Sequence, residues 1–517
     1  MAPIGTLDQT IEYILYGFIS LALLVLAYQR FLDPLRNYPG PLIAKLTNGY
    51  AGFFAIKRSL HIHIWKAHEK YGPVVRIGPD RLVFNSATAL RDIYQNERVT
   101  KSPIYLVTQA KPGAHSTWNS LDRDMHRQKR KLVGRATTEA SMRSFEPTMI
   151  EQVDLFIQNI ARSKSQPIDV KNRCSYLSFD IAGLLSFGYA LRLQTDEKNR
   201  FLVENLAQSN RRMNVFMQIP IIPRYRLQTY INLLFRRKIE RTAGLIETMI
   251  RSRMAQDTHA KRDLYSFVAD TMHTNDGKDF RLGDLWYEAV FFIIAGGDTS
   301  ATALSATLFY LSRNPKCYST LATEIRTTFQ GGKEICGRML ANCHYLRACI
   351  DEALRMSPPT PGTLWRQLAP EEEGNGPFIV DGHVIPSGTK VGVNIYSLHH
   401  NEEYFPDPFQ YNPDRWLAGG DSNGEAALRK AAHNAFAAFS IGSRGCAGKP
   451  TAYLELSLAL AKTLWYFDFE TAPGEVGQIG VGQKGEFRLH DIFTSTHDGP
   501  YLVFKPRDSF MEDFGNV

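Results

Sequence analysis

The chain has 517 residues, 44% of them hydrophobic, and 60 Lys and Arg against 52 Asp and Glu give it a formal charge of +8. That charge suits an acidic partner or anionic lipid, while the absence of zinc-finger spacing and of RNA-binding aromatic signatures argues against nucleic acid. Six cysteines in a chain this long, with no Cys-x-x-Cys pair, exclude a disulfide framework and a zinc site and fit reduced thiols.

The elements begin with an apolar run. Tyr13 to Gln29 contains no charge, with Asp8 and Glu12 before it and Arg30, Arg36 and Lys45 after it. This predicts a short membrane-spanning anchor over residues 1–30, with the remainder cytosolic by the positive-inside rule. Pro34, Pro39, Gly40 and Pro41 predict a stiff exit over 31–41. Length alone suggests about three domains, but no linker or repeat divides the rest, so residues 42–517 read as one catalytic domain. Val74–Gly78 and Arg81–Phe84 predict a hairpin turning at Pro79-Asp80. Helical patterns dominate from Ala87 to about Asp270. Within them Met217 to Tyr225, proline-containing and ringed by Arg211, Arg212, Arg224 and Arg226, reads as a loop. It suits a membrane surface or a buried helix connection equally.

A long helix is expected over Leu282–Arg313, interrupted at Ala295-Gly296-Gly297-Asp298-Thr299, and another over Met339–Met356. Strands are expected near Phe378–Ile385, Lys390–Ile395, Glu486–Leu489 and Tyr501–Phe504, with surface loops at Glu371–Pro377 and Gly419–Glu425. The predicted fold class is mainly α with a smaller, segregated β region (α+β).

Chemistry concentrates in Phe439-Ser440-Ile441-Gly442-Ser443-Arg444-Gly445-Cys446-Ala447-Gly448. Gly442, Gly445 and Gly448 allow a tight turn and close approach of a flat ligand. Arg444 offers a fixed charge to a carboxylate. The apolar run to Trp465 predicts a helix starting at or just after Cys446, whose N-terminal amides favour a thiolate. A haem iron with an axial thiolate meets these demands, because haem brings propionates and needs one soft anionic donor. Elsewhere, Gly296 and Gly297 each cost an apolar helix about 1 kcal/mol. A helix opened there gives a flat ligand room, though a kink capped by Thr299 explains the same residues. Glu352 and Arg355, three apart, share a helix face, as do His126 and Arg130.

The cysteine segment resembles the haem-binding signature of the cytochrome P-450 family, Phe-x-x-Gly-x-Arg-x-Cys-x-Gly, at every defining position. The resemblance spans about Tyr38 to Arg507 and implies that family's fold, a single large domain behind an N-terminal transmembrane helix. It implies haem b, with Cys446 as axial ligand and Phe439, Gly442, Arg444, Gly448 and Ala295 around it. Arg366 and Arg130 would meet propionates, and His126 stands where the family usually has tryptophan. Asp298 and Thr299 would deliver protons to dioxygen, Asp298 feeding them from solvent and Thr299 holding a water. Glu352, Arg355 and Arg415 would form an ion-pair network behind the haem.

Ile104, Trp118, Phe291, Phe292, Thr363, Leu364 and Phe493 would line a greasy pocket, although apolar stripes are more often core. Arg127, Lys129 and Lys131 would be solvated and could form a basic face for an acidic electron donor. The run Tyr396-Ser397-Leu398-His399-His400-Asn401 is similar to filamentous-fungal members of secondary metabolism. The implied activity is monooxygenation of a lipophilic substrate at the endoplasmic reticulum membrane, by hydroxylation or else by epoxidation, desaturation or oxidative coupling. Electrons would come from NADPH through a cytochrome P-450 reductase, with cytochrome b5 as a second candidate donor. A reductase-independent isomerase or dehydratase and a non-enzymatic haem sensor are the other readings.

Overall fold

A computed structural model describes residues 4–514 apart from 110–111, 258–259, 262, 267–281 and 420–422. The end of the helical region expected to reach Asp270, part of the expected pocket segment between Ile104 and Trp118, and most of the Gly419–Glu425 loop therefore lie outside the described residues. The helices used below are α1 (Ile4–Ala27), α2 (Leu60–Tyr71), α3 (Ala87–Tyr94), α4 (Arg123–Ala136), α5 (Glu139–Ala161), α6 (Val170–Phe187), α7 (Phe201–Gln218), α8 (Arg236–Met254), α9 (Leu282–Arg313), α10 (His344–Met356), α11 (Asn423–Ala435) and α12 (Lys449–Tyr466).

α1 continues into a wider helical turn, Tyr28–Leu32, and the span Gln9–Leu32 is long and apolar enough to cross a membrane. The segment expected as a stiff exit is docked on the sheet. Asp33 forms a buried ion pair with Arg76 at 2.6 Å, the Arg76 amide donates to Pro39 O, and Leu35 is buried.

A sheet stands beside the helices. Its five strands run β1 (Val74–Gly78), β2 (Arg81–Phe84), β8 (Lys390–Val393), β5 (Arg366–Leu368), β3 (Val99–Lys101), with only β2 and β8 parallel. The predicted hairpin at Pro79-Asp80 is present. Short β4 (Ile168–Asp169), β12 (Tyr501–Pro506) and β9 (Phe467–Thr471) form a second sheet, and β6 (Phe378–Val380) pairs with β7 (His383–Ile385). The strand expected over Glu486–Leu489 lies later. It is β10 (Leu489–Ile492), which pairs with β11 (Thr494–His497) rather than with β12. Phe487 makes only an isolated bridge to Val481.

Three helix expectations also change. Met339–Met356 is broken into Gly337–Leu340 and α10. Residues 423–425, expected as loop, open α11. α9 is continuous through Gly296 and Gly297. The glycines serve packing instead: a Cβ on Gly297 would stand 2.6 Å from the Phe179 ring of α6, and one on Gly296 would touch Ala182. The rear of α9, Ala301–Leu311, is buried in the largest apolar core with α5, α6, α10 and α12. Its front half is thereby held rigidly over the start of α12.

Candidate active site

The Phe439–Gly448 loop forms before α12 because its backbone closes on itself. The Cys446 amide donates to Phe439 O at 2.8 Å, and Gly445 N to Gly442 O at 3.0 Å. Gly442 has φ +74, and a Cβ there would lie 1.9 Å from Tyr94 O of α3. Only glycine fits this place. Cys446 is accessible at its surface and lines a cavity of about 1280 Å³. Burial pushes its thiol up, against the amides of Gly448 and Lys449 and the charges of Arg130 and Lys449, which favour the thiolate.

Cations crowd this region: Lys101, His126, Arg130 and Arg444 line the cavity, while Arg366 lies near them without lining it. Arg444 donates to Ser120 O at 2.7 Å and Leu121 O at 3.1 Å. Arg366 is buried, bonds Trp365 O at 3.1 Å, and lies 5.0 Å over the Tyr94 ring. Lys101 is buried, bonds Trp118 O, and sits 3.5 Å over that indole. These three donate to carbonyls and ring faces instead of carboxylates. Burial, then the neighbouring positive charges, lower Lys101 well below the usual lysine range and hold His126 at about 3. Burial and Arg366 bring Arg444 to about 10. With Arg130 beside Cys446, the cluster forms no ion pair with a carboxylate among the described residues, and it suits a ligand carrying carboxylates.

Across the cavity, Ala295 and Thr299 of α9 line the wall, and the Thr299 hydroxyl donates to Ala295 O at 2.6 Å. Asp298 is turned off that wall. Its Oδ2 accepts from Asn210 Nδ2 at 2.9 Å and from Thr494 Oγ1 at 3.2 Å, and burial raises its carboxyl to about 7. Trp118 stacks on Phe291 at 5.8 Å and meets Phe493 edge-on at 5.1 Å, forming an aromatic roof. Phe493 has φ +89, a conformation costing about 1–3 kcal/mol that its amide bond to Asp491 Oδ1 (3.0 Å) helps to hold. Phe292 and Leu364 also line the cavity.

Two expected pocket residues do not belong to that lining. Ile104 packs into the apolar cluster behind Trp118. Thr363 packs its methyl against Gly392 and bridges Asn394 at the sheet edge.

Glu352 and Arg355 are buried rather than a surface pair. Arg355 Nε and Nη2 each donate to Glu352 at 2.9 Å, Arg415 Nε adds a bond at 3.1 Å, and Trp416 Nε1 one at 2.9 Å. Burial alone would raise the Glu352 carboxyl, but Arg355 and Arg415 hold it below its ordinary value. Lys129, expected in solvent, is also buried, 3.5 Å from Glu288 of α9, whose Oε1 accepts the Thr117 amide at 2.6 Å. Arg127 and Lys131 remain on the surface, Arg127 paired with Asp124.

The chain matches the cytochrome P450 family model over residues 39–483. It belongs to the cytochrome P450 family. Among its relatives is the cytochrome P450 monooxygenase poxM of Penicillium oxalicum, 36% identical over 99% of this chain and 98% of the relative. Another is the cytochrome P450 monooxygenase apf7 of Gibberella fujikuroi, 34% identical over 95% of this chain and 97% of the relative. The cytochrome P450 monooxygenase atnE of Emericella nidulans is 31% identical over 95% of this chain.

This P450 is therefore an oxidoreductase whose cofactor is haem b, served by a redox-partner reductase drawing on NADPH and acting on lipophilic substrates. The residues present fit that group: one cysteine sulfur at a helix N-terminus, and buried cations in want of carboxylates. When bound, haem supplies oxygen activation.

Several contributors carry no local sequence signal. Lys101 precedes no recognisable motif. Glu455 of α12 is buried, accepts from Ser178 Oγ at 2.6 Å and bonds Ser300 beside Thr299. His399 joins the Glu352 network to the cysteine loop: its Nδ1 donates to Arg355 O at 3.0 Å and its Nε2 accepts the Ala437 amide at 2.9 Å. Burial and the Arg355 charge keep this imidazole neutral, at about 3.

Proposed function

We propose that this P450 hydroxylates a lipophilic precursor in fungal secondary metabolism, held at the endoplasmic reticulum membrane by α1 with its catalytic domain in the cytosol. The observation that carries the reading is Cys446 at the mouth of α12, facing a large and mostly apolar-walled cavity whose opposite wall carries Thr299. Cys446 is the axial ligand of the iron in this reading, with Phe439, Gly442, Gly448 and Ala295 against the ring and Arg130, Arg366, Arg444, Lys101 and His126 toward the propionates. Asp298 supplies protons, and Thr299, its own hydroxyl proton spent on Ala295 O, accepts from a water it holds. Glu352, Arg355 and Arg415 stabilise the fold behind the haem.

Basic residues following α1, and fungal relatives matching nearly end to end, support the location and the metabolic setting. Arg127 and Lys131 on α4 suit an acidic reductase surface, with cytochrome b5 as an accessory donor. The residues are grouped as an anchor (1–30), a connecting segment (31–41) docked on β1, and a catalytic domain (42–517).

The test combines reconstitution with isotope labelling. The metabolite that accumulates on gene deletion is supplied to the full chain in vesicles with reductase, NADPH and 18O-labelled dioxygen. One 18O atom in the product, dependent on NADPH, is expected. Turnover without reductase would replace this reading with an isomerase or dehydratase. Cys446→Ala should also abolish the carbon-monoxide difference band of thiolate-ligated ferrous haem, and a normal band would remove Cys446 as ligand.

A further inference from the structure

We propose that Thr494 is a second hydroxyl of the proton route, joining Asp298 to the cavity, and that Asn210 is the positioning residue that holds both. The inference rests on the proton-supplying role given to Asp298 above.

Three geometric facts carry it. Asp298 does not line the cavity, whereas Asn210 and Thr494 both do. Its carboxyl meets them through Oδ2, at 2.9 Å from Asn210 Nδ2 and 3.2 Å from Thr494 Oγ1. The same Asn210 amide nitrogen donates to Thr494 Oγ1 at 2.9 Å, closing a three-membered ring of hydrogen bonds among α7, α9 and β11. Thr299, the other hydroxyl near Asp298, directs its proton to Ala295 O and is left as an acceptor. Thr494 is a wall hydroxyl that donates to Asp298 Oδ2 in the bonded arrangement; once Oδ2 carries a proton that bond reverses, and Thr494 has its own proton to turn inward.

The transfer balances simply. Asp298 Oδ2–H gives its proton to Thr494 Oγ1 as Thr494 releases its hydroxyl proton to the oxygen being reduced. Asp298, left as carboxylate, recovers a proton from water at its half-buried surface. No electron moves in these steps; electrons arrive from NADPH through the reductase. Retention of a proton on Asp298 near neutral pH, from burial, makes the donor available.

A second contact fixes the hairpin that carries Thr494. Asn214, one turn along α7 from Asn210, donates to Asp491 Oδ1 at 3.1 Å, and Asp491 in turn holds the Phe493 amide. Both asparagines thus face the β10–β11 turn, so the hydroxyl is held in register with Asp298.

The experiment uses the full chain in vesicles with reductase, NADPH and dioxygen itself as the probe. Thr494→Val keeps the shape and removes the hydroxyl; Thr494→Ser restores it. Oxygen consumption should fall about fivefold in Thr494→Val, the equilibrium worth of one hydrogen bond. It should recover in Thr494→Ser and fall no further when Thr494→Val is added to Asp298→Asn. Asn210→Ala should behave as Thr494→Val does. A readout independent of turnover is the infrared band of the protonated Asp298 carboxyl, identified as the band Asp298→Asn removes. It should shift in Thr494→Val and return in Thr494→Ser.

Equal losses in the valine and serine variants, additive losses with Asp298→Asn, or an unmoved infrared band would each overturn the relay. A normal carbon-monoxide band in Thr494→Val shows that such a failure lies with the relay and leaves the Cys446 assignment standing.

Discussion

Glu455 is 3% exposed and bonded to the hydroxyls of Ser178 and Ser300 rather than to a cation. Burial raises its carboxyl from 4.5 to about 7. A carboxyl raised by folding binds more protons in the native than in the unfolded chain between those values. Its contribution to stability is complete below about 4.5 and is lost as pH rises through about 7, on the order of 3 kcal/mol in all. Glu455→Gln should therefore shrink the drop in melting temperature between pH 5 and pH 8, measured by far-ultraviolet circular dichroism. An unchanged drop would mean that the site stays ionised throughout. His399 acts through bonds instead of charge. His399→Ala strands the Ala437 amide and Arg355 carbonyl, at a cost of about 1–3 kcal/mol for buried polar groups. Because Ala437 leads into the cysteine loop, the purified variant should also show a lower ratio of haem absorbance to protein absorbance. A full complement of haem at wild-type stability would show the link to be dispensable.

At the scale of elements, α9 shows which parts of the site could be read from the chain and which could not. The Gly296-Gly297-Asp298-Thr299 cluster marks the right place, because glycines and short polar residues are poor choices in an apolar helix. Their reason lies elsewhere, in the ring of Phe179 on α6, which no local pattern reveals. Gly297→Ala should overpack that contact and cost about 1–3 kcal/mol. Phe179→Leu, placed with it, should recover more stability than the two single changes predict by addition. Simple additivity in chemical denaturation would refute the close approach of α6 and α9 as the glycine's purpose.

The same limit explains the displaced strand. A strand is expected over Glu486–Leu489, yet β10 contains His490 and Asp491, and Asp491 is made tolerable by Asn214 from α7. Lys129 likewise reads as a surface lysine until Glu288 of α9 is folded against it. Motifs that lie contiguous in the chain, such as Phe439 to Gly448, were legible. Groups whose partners come from distant elements were not, since their burial is compensated only in the folded state.

At the scale of the whole molecule, apolar exposure is concentrated in three parts of the chain. Besides α1, it includes Leu42, Ile43, Leu46, Phe53 and Ile56 near the N-terminus, and Ile221, Tyr225, Leu227, Tyr230, Leu233 and Leu234 between α7 and α8. The last two groups are joined, because Ile219 at the end of α7 packs onto Gly52, where a Cβ would come within 2.3 Å. The two groups therefore lie close together, and Arg212 of α7 and Arg226 beyond it line the cavity. In Met217–Tyr225, read as a loop, Met217 and Gln218 are buried and Ile221–Arg224 is a short helix, while the exposed Ile221 and Tyr225 suit a membrane surface. A protein lacking residues 1–32 should still bind vesicles containing anionic lipid, since each buried leucine side chain contributes about 1.5–3 kcal/mol. Replacing Tyr230, Leu233 and Leu234 by serine in that truncated protein should release it in a flotation assay, while the carbon-monoxide band reports an intact haem site. Full release by the truncation alone would assign membrane attachment to α1 and leave the second apolar surface without that role.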